Sequence, residues 1–270
     1  MGEIESFVAE CATEIGAQGR DEEFRGLSLD WLIKANSLKY SYHFTALGRP
    51  IIQYPQDMVA VQELVWAVKP DLIIETGIAH GGSLILSASA LALLDWVEAA
   101  EAGTTLDPRA SRRRVVGIDI DIRAHNRAAI EAHPMSHMIT MIEGSSIAEG
   151  IVGQVRDIAK DYRRVLVFLD SNHSHAHVLG ELEAYAPLVS DGSYCVVFDT
   201  VVEDIPEQQY AGRPWSKGDN AKTAVWQYLR VLNDEGRTAS DGKTLQFEID
   251  RAIESKMAVT VAPDGYLRRV

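Results

Sequence analysis

The sequence predicts an α/β protein: a mostly parallel sheet with helices on both of its faces. Two observations carry that prediction. Short apolar runs rich in Val and Ile recur along the chain, and stretches of helical periodicity separate them. Such alternation implies parallel strands joined by crossover helices. The runs also end on an acid or reach one within a residue, at Glu75, Asp119, Glu143, Asp170 and Asp199. Those are the carboxyl ends of strands, where an open sheet of this kind binds its ligands.

Residues 1–56 stand outside the alternation. They read as a helical N-terminal extension able to lid the ligand site, ahead of a main domain over 57–270. A helix over 57–68 places Met58, Val61, Leu64, Val65 and Val68 on one stripe. The strand runs follow: DLIIET (71–76), RVVGID (114–119), HMITMI (137–142), RVLVFLD (164–170) and YCVVFD (194–199). Helical patterns lie between them at 83–101, 123–132, 147–161 and 176–187. Beyond the loop EQQYAGRPWSKGDN a further helix is expected over 221–234. The tail MAVTVAPDGYLRRV carries Pro-Asp-Gly between two extended runs, which predicts a closing hairpin.

Composition narrows the function. Across 270 residues, 26 Lys and Arg stand against 39 Asp and Glu, a net charge of −13. A nucleic-acid surface needs clustered positive potential, so nucleic acid is excluded as a partner. The basic stretch RASRRR reads as a solvated excursion. Cys11 and Cys195 cannot form a disulfide framework, and Cys195, inside an apolar run, reads as a small buried hydrophobe. The N-terminus is acidic and amphipathic, unlike a signal peptide, and no window of 18 or more apolar residues is found, so no membrane span is expected. A cytoplasmic protein is expected.

The turn after the first strand run, ETGIAHGGS, selects the ligand. Its pattern is Glu75-x-Gly77-x-x-x-Gly81-x-Ser83, with Ala79 where a dinucleotide fingerprint needs its second glycine. No lysine follows Gly82, so it is not a phosphate-binding P-loop. Glu75 would repel phosphates but suits a ligand with a cationic group and hydroxyls. S-adenosylmethionine (SAM) has an ammonium, a sulfonium and a ribose diol. Asp119 can accept both ribose hydroxyls. In EGSSI, Ser145 or Ser146 either reaches the adenine edge or caps the next helix. His80 is either a cofactor-loop contact or a packing residue.

Together, ETGIAHGGS, GIDID, LDSNH and VVFDT resemble the class I SAM-dependent methyltransferases. More narrowly, residues 40–270 resemble the cephalosporin hydroxylase / rhamnosyl O-methyltransferase family, including GRPIIQYPQDM and the APDGYL tail. The resemblance implies a Rossmann-like, seven-stranded sheet with SAM over the first two strands. It also implies a divalent cation, Mg2+, beside the methyl group, held by Asp170 and Asp199, with Asp170 bordering the cofactor as well. The hydroxylase of the family name is not carried over, since a two-His-one-carboxylate set is not evident. Related catechol-type enzymes carry a carboxamide after the second acid; here Thr200 stands there, so Thr200 or a water completes the shell, with Glu203 and Asp204 as alternatives. Their lysine base, three residues after the first metal acid, is replaced by His173, whose imidazole suits proton transfer near neutrality. His173 as a metal-linked, substrate-binding or structural residue stays open, while His175 and His177 read as helix-surface residues. Trp215 and the stretch SLKYSYHFTALGRP either wall the acceptor pocket or belong to the core.

The implied activity is Mg2+-assisted O-methylation of a hydroxyl on a sugar, glycoside or natural product, by a homo-oligomer. The alternative is a non-catalytic SAM-binding partner that assists a separate tailoring enzyme. The loop pattern disfavours a nicotinamide oxidoreductase.

Overall fold

The computed structural model describes residues 2–270. Two helices, α1 (Glu3–Arg20) and α2 (Glu22–Ser37), open the chain, followed by a small antiparallel hairpin of β1 (Phe44–Ala46) and β2 (Arg49–Ile51). The extension is thus not helical throughout. After α3 (Pro55–Val68) the alternation begins: β3 (Leu72–Thr76), α4 (Gly82–Ala102), β4 (Arg114–Asp119), α5 (Ala124–Glu131), β5 (Ile139–Glu143) and α6 (Glu149–Ala159). It continues through β6 (Val165–Leu169), α7 (His175–Tyr185), β7 (Tyr194–Val197) and α8 (Ala221–Glu235), and closes with β8 (Phe247–Ile249), α9 (Arg251–Met257) and β9 (Tyr266–Arg269).

One seven-stranded sheet results, in the order β5-β4-β3-β6-β7-β9-β8. Strands β3 to β7 pair in parallel, and β9 runs antiparallel to both β7 and β8. Alternate residues of one strand feed opposite layers, as strand geometry requires. Ile73 joins Leu84, Ala88 and Leu91 of α4 on one face, whereas Leu72 and Ile74 join Val155 of α6, Leu182 of α7 and Val225 of α8 on the other. Helix α4 is long and apolar enough, by composition, to cross a bilayer. One face of it packs on the sheet, where Leu84, Ile85, Leu91 and Leu94 are buried, while Leu93 and Trp96 are exposed.

The tail departs from the expected hairpin. Residues 258–265 are not a strand, and β9 pairs with β7 and with β8, which lies on the far side of α9. The Pro-Asp-Gly turn does exist, with Asp264 at φ 65°, but it leads into β9 from a loop rather than from a partner strand. Local turn chemistry gave the bend; longer-range pairing chose the neighbour.

Register sets the functional edge. Thr76 lies opposite Ile118 of β4 and Leu169 of β6, and Leu169 lies opposite Val197 of β7. The residues just beyond them, including Gly77, Asp119 and Asp170, therefore emerge at one level. Between β3 and β6 the strand order reverses, the switch point at which a doubly wound sheet opens a crevice.

Candidate active site

Gly77 sits where β3 and β6 leave the sheet. Its φ of 90° is in the left-handed region, and a Cβ there would overlap the carbonyl of Asp170. Glycine is needed on both counts. Gly81, at φ 82°, precedes α4, and a Cβ on Gly82 would overlap Pro50 and Ile51 of the extension. Ala79 is exposed at φ 46°, and the half-buried His80 takes part through its carbonyl, which accepts from Arg49 Nε at 3.0 Å. Asn126 Nδ2 donates to the carbonyl of Ala79 at 2.9 Å, and Arg49 Nη2 donates to Asn126 Oδ1 at 3.2 Å. Arg49 and Asn126 hold the turn, and neither was marked for that role by the sequence, because each reaches it from another part of the chain.

Glu75 is buried and accepts from the hydroxyl of Ser87. Burial pushes its pKa up to about 7, against the opposing hydrogen bonds of Ser87 and Ser83. Glu75, Gly77, Ser83 and Asp170 line one cavity together with Ile51 and Gln53. The end of the extension thus borders the site, while α1 packs far along the chain against α9.

Asp119 serves the turn directly. Its Oδ2 accepts from the backbone N–H of Ile78 at 2.8 Å and of Ala79 at 3.2 Å, and Oδ1 accepts from Asp121 N–H at 3.2 Å. A ribose diol would share this carboxylate with the loop. Ser146 stands in the turn between β5 and α6. It is buried and donates to Glu181 Oε1 at 2.5 Å, as Ser171 does at 2.6 Å. His177 Nε2 lies 3.0 Å from Ser146 Oγ, so His177 is no free surface residue. Ser145 stays half-buried, and its carbonyl accepts from Ala148 N–H at 2.9 Å. Glu181, fully buried on α7, was not foreseen; one buried acid on an otherwise apolar helix stripe was the available signal.

The acids of β6 and β7 meet. One ligand atom from each of Asp170, His173 and Asp199 lies within 4.8 Å of the others, and His173 Nε2 is 3.0 Å from Asp199 Oδ2. Burial and then the nearby Asp199 raise the pKa of Asp170 well above the usual carboxylate range. Burial also acts upward on Asp199, but the charge and hydrogen bond of His173 outweigh it and leave its pKa low. For His173 burial acts downward, and the Asp199 and Asp170 carboxylates overcome it, lifting its pKa to about 9. Two carboxylates and one imidazole gathered at a cleft edge fit a divalent cation that keeps open positions for water or a hydroxyl.

The other candidate ligands are engaged elsewhere. Thr200 is fully buried and its hydroxyl donates to the carbonyl of Pro263 at 2.6 Å. Glu203 accepts from Gly218 N–H at 2.8 Å and Asn220 Nδ2 at 2.5 Å, and Asp204 pairs with Lys222 at 2.5 Å. Trp215 stands edge-on to His173, with ring centres 4.7 Å apart, so that loop does wall the site. His175 is likewise not free: its ring meets Thr223 Oγ1 at 2.7 Å and Gln227 Oε1 at 2.9 Å, fastening α7 to α8.

Comparison with known proteins agrees with this architecture. A Rhamnosyl O-methyltransferase of Mycobacterium leprae is 26% identical over 227 residues, covering 83% of this chain and 82% of its own. Its counterpart in Mycobacterium bovis is 26% identical over 218 residues, covering 79% and 73%. Among solved structures, cmcI in its Mg-SAM form superposes with a TM-score of 0.50 at 17% identity, over 85% of this chain and 77% of that one, which supports the Rossmann-like methyltransferase fold. The family model described as Rhamnosyl O-methyltransferase/CmcI matches residues 38–270, and the chain belongs to that family.

Proposed function

We propose that the protein is a SAM-dependent, divalent-metal-assisted O-methyltransferase acting on a hydroxyl of a sugar, a glycoside or a natural product. The observation that carries this reading is the meeting of Asp170, His173 and Asp199 beside the Gly77 turn. The relatives named rhamnosyl O-methyltransferases support a sugar hydroxyl as the first acceptor to try.

SAM would lie along the carboxyl ends of β3 and β4 and supply the methyl group. Glu75 would face its ammonium, the backbone of Gly77, Ala79, His80 and Gly81 would approach it closely, and Ser83, Asp119, Ser145 or Ser146, and Asp170 would border it. Mg2+, held by Asp170 and Asp199 with waters, would lower the pKa of an acceptor hydroxyl. His173 accepts the proton of that hydroxyl at its imidazole, for which it must first be neutral. A neighbouring cation disfavours the imidazolium and opposes the upward pull of the two carboxylates. Trp215, edge-on to the imidazole, would hold the ring of His173 in place for that proton transfer.

A second reading of His173 has its own support. Nε2 lies within the carboxylate cluster, as a metal ligand would. The two roles separate by titration: His173→Ala leaves Mn2+ affinity unchanged if His173 is the base, and weakens it if His173 is a ligand. For the activity itself, the test is methyl transfer from SAM to a panel of rhamnosides, other sugars and phenols, with and without Mg2+. Methylated product with any acceptor removes the partner-only alternative. SAM binding with no turnover across the panel supports that alternative instead.

A further inference from the structure

Two strings that carry the family resemblance, GRPIIQYPQDM and APDGYL, lie more than 200 residues apart in the chain. In the folded chain they meet at Asp57. This residue, in the first turn of α3, is fully buried. Its Oδ1 accepts from the hydroxyls of Thr260 and, at 2.8 Å, Tyr266, and its Oδ2 accepts from Val261 N–H at 3.1 Å. All three partners are neutral donors. A carboxyl group so placed loses its hydration without gaining a counter-charge, and burial pushes its pKa up to about 6. Joining a helix to a tail does not require so costly a group.

The segment that Asp57 grips has a second set of contacts. Thr200 Oγ1 donates to Pro263 O at 2.6 Å, and Val201 N–H donates to Val261 O at 3.2 Å. Ala262 N–H donates to Thr260 Oγ1 at 2.9 Å and tightens the same turn. Residues 200 and 201 directly follow Asp199, which holds φ 56° and ψ 22°. A non-glycine residue in the left-handed region is strained and persists only where its surroundings fix it.

We propose that Asp57 is a positioning residue for Asp199: through residues 260–263 it fixes Thr200 and Val201, and so keeps the Asp199 carboxylate turned toward Asp170 and His173. The inference rests on the reading of Asp199 as a metal ligand. It explains why Thr200 faces the tail rather than the cluster, and why the two strings occur in one chain.

The test uses the full-length protein. Mn2+ affinity is measured by electron paramagnetic resonance, SAM affinity by calorimetry, and amide exchange by mass spectrometry over residues 199–203. Thr260→Val and Asp57→Asn are expected to weaken Mn2+ by about tenfold, the size of effect seen when groups supporting a ligand are removed. SAM affinity should stay within about twofold, since its side of the crevice keeps its own contacts. Exchange at Val201 should rise, and Thr260→Ser should restore both properties. Leu182→Ala, on the opposite face of the sheet, serves as a destabilised control that should leave Mn2+ affinity intact. Unchanged Mn2+ affinity and Val201 exchange in folded Thr260→Val overturn the proposal, as does an equal loss in the Leu182→Ala control. If Asp57→Asn fails to fold, Thr260→Val and Tyr266→Phe decide. If the wild type binds no Mn2+, the metal reading fails, and Val201 exchange alone still decides the anchoring.

Discussion

Glu75 shows what a buried acid costs the fold. Its pKa rises from 4.5 to about 7, chiefly through burial. Between those two values the unfolded chain has released the proton while the folded chain retains it, so stability falls as pH rises through that window and is flat above it. The full term is at most about 3 kcal/mol by linkage. Glu75→Gln keeps an acceptor for Ser87 and removes the titration. Its stability gain over wild type, from urea unfolding at a series of pH values, should be near zero at pH ~4.5 and largest above pH ~7. SAM affinity should fall by about tenfold or more, since a charge-assisted hydrogen bond is lost. A gain independent of pH would show that the burial of Glu75 has been misjudged. His173→Ala is expected to lower kcat by ~10²–10⁴ with SAM affinity nearly unchanged, if base catalysis is its role. His175→Ala should instead cost about 1–2 kcal/mol of stability, because its ring bonds to Thr223 and Gln227 are lost, with little change in kcat. The acids at strand ends were legible because their place follows from the strand itself. Arg49 and Asn126 were not, since their partners lie tens of residues away, and Glu181 was marked only by being an acid on an otherwise apolar stripe of α7.

Elements were legible in proportion to their periodicity. The expected helix over 83–101 became Gly82–Ala102, and the expected strand over 114–119 became Arg114–Asp119. Patterns this regular report burial on one face or two. The tail was misread because MAVTV and GYLRR resemble two strands of a hairpin, whereas Asp57 holds the first of them as a loop. Strand β8 is three residues long and only partly buried, too short for its pattern to stand out. The crossing of the β3 and β6 loops makes a separate prediction. Gly77→Ala adds a Cβ at a left-handed position that also abuts the Asp170 carbonyl. A stability loss of about 1–3 kcal/mol, or more where the carbonyl cannot move, is expected from thermal unfolding, accompanied by loss of SAM binding. Normal SAM affinity in this variant would mean that the two loops need not touch.

At the scale of the whole molecule, the surface of the extension stands out. Helix α1 buries no residue within its own chain, and Ile4, Phe7 and Val8 are exposed on it at helical spacing, as Leu27 and Trp31 are on α2. Clustered exposed apolar side chains mark interaction surfaces. The homo-oligomer expected from sequence would use this face, and light scattering on the purified protein should give a mass above 29.8 kDa. Phe7→Glu with Leu27→Lys should reduce the particle toward one chain, and a wild-type mass of one chain would remove the idea. Strand order has another consequence. Strand β9 lies inside the sheet between β7 and β8 rather than at an edge. A fluctuation that frees β9 therefore opens a gap in the sheet and leaves β8 with no strand to join. Residues 260–263, whose carbonyls meet Thr200 and Val201, lead into that strand. Fraying of β9 and loosening of the turn at Asp199 are therefore one event, and the edge of the sheet and the rim of the crevice come apart together.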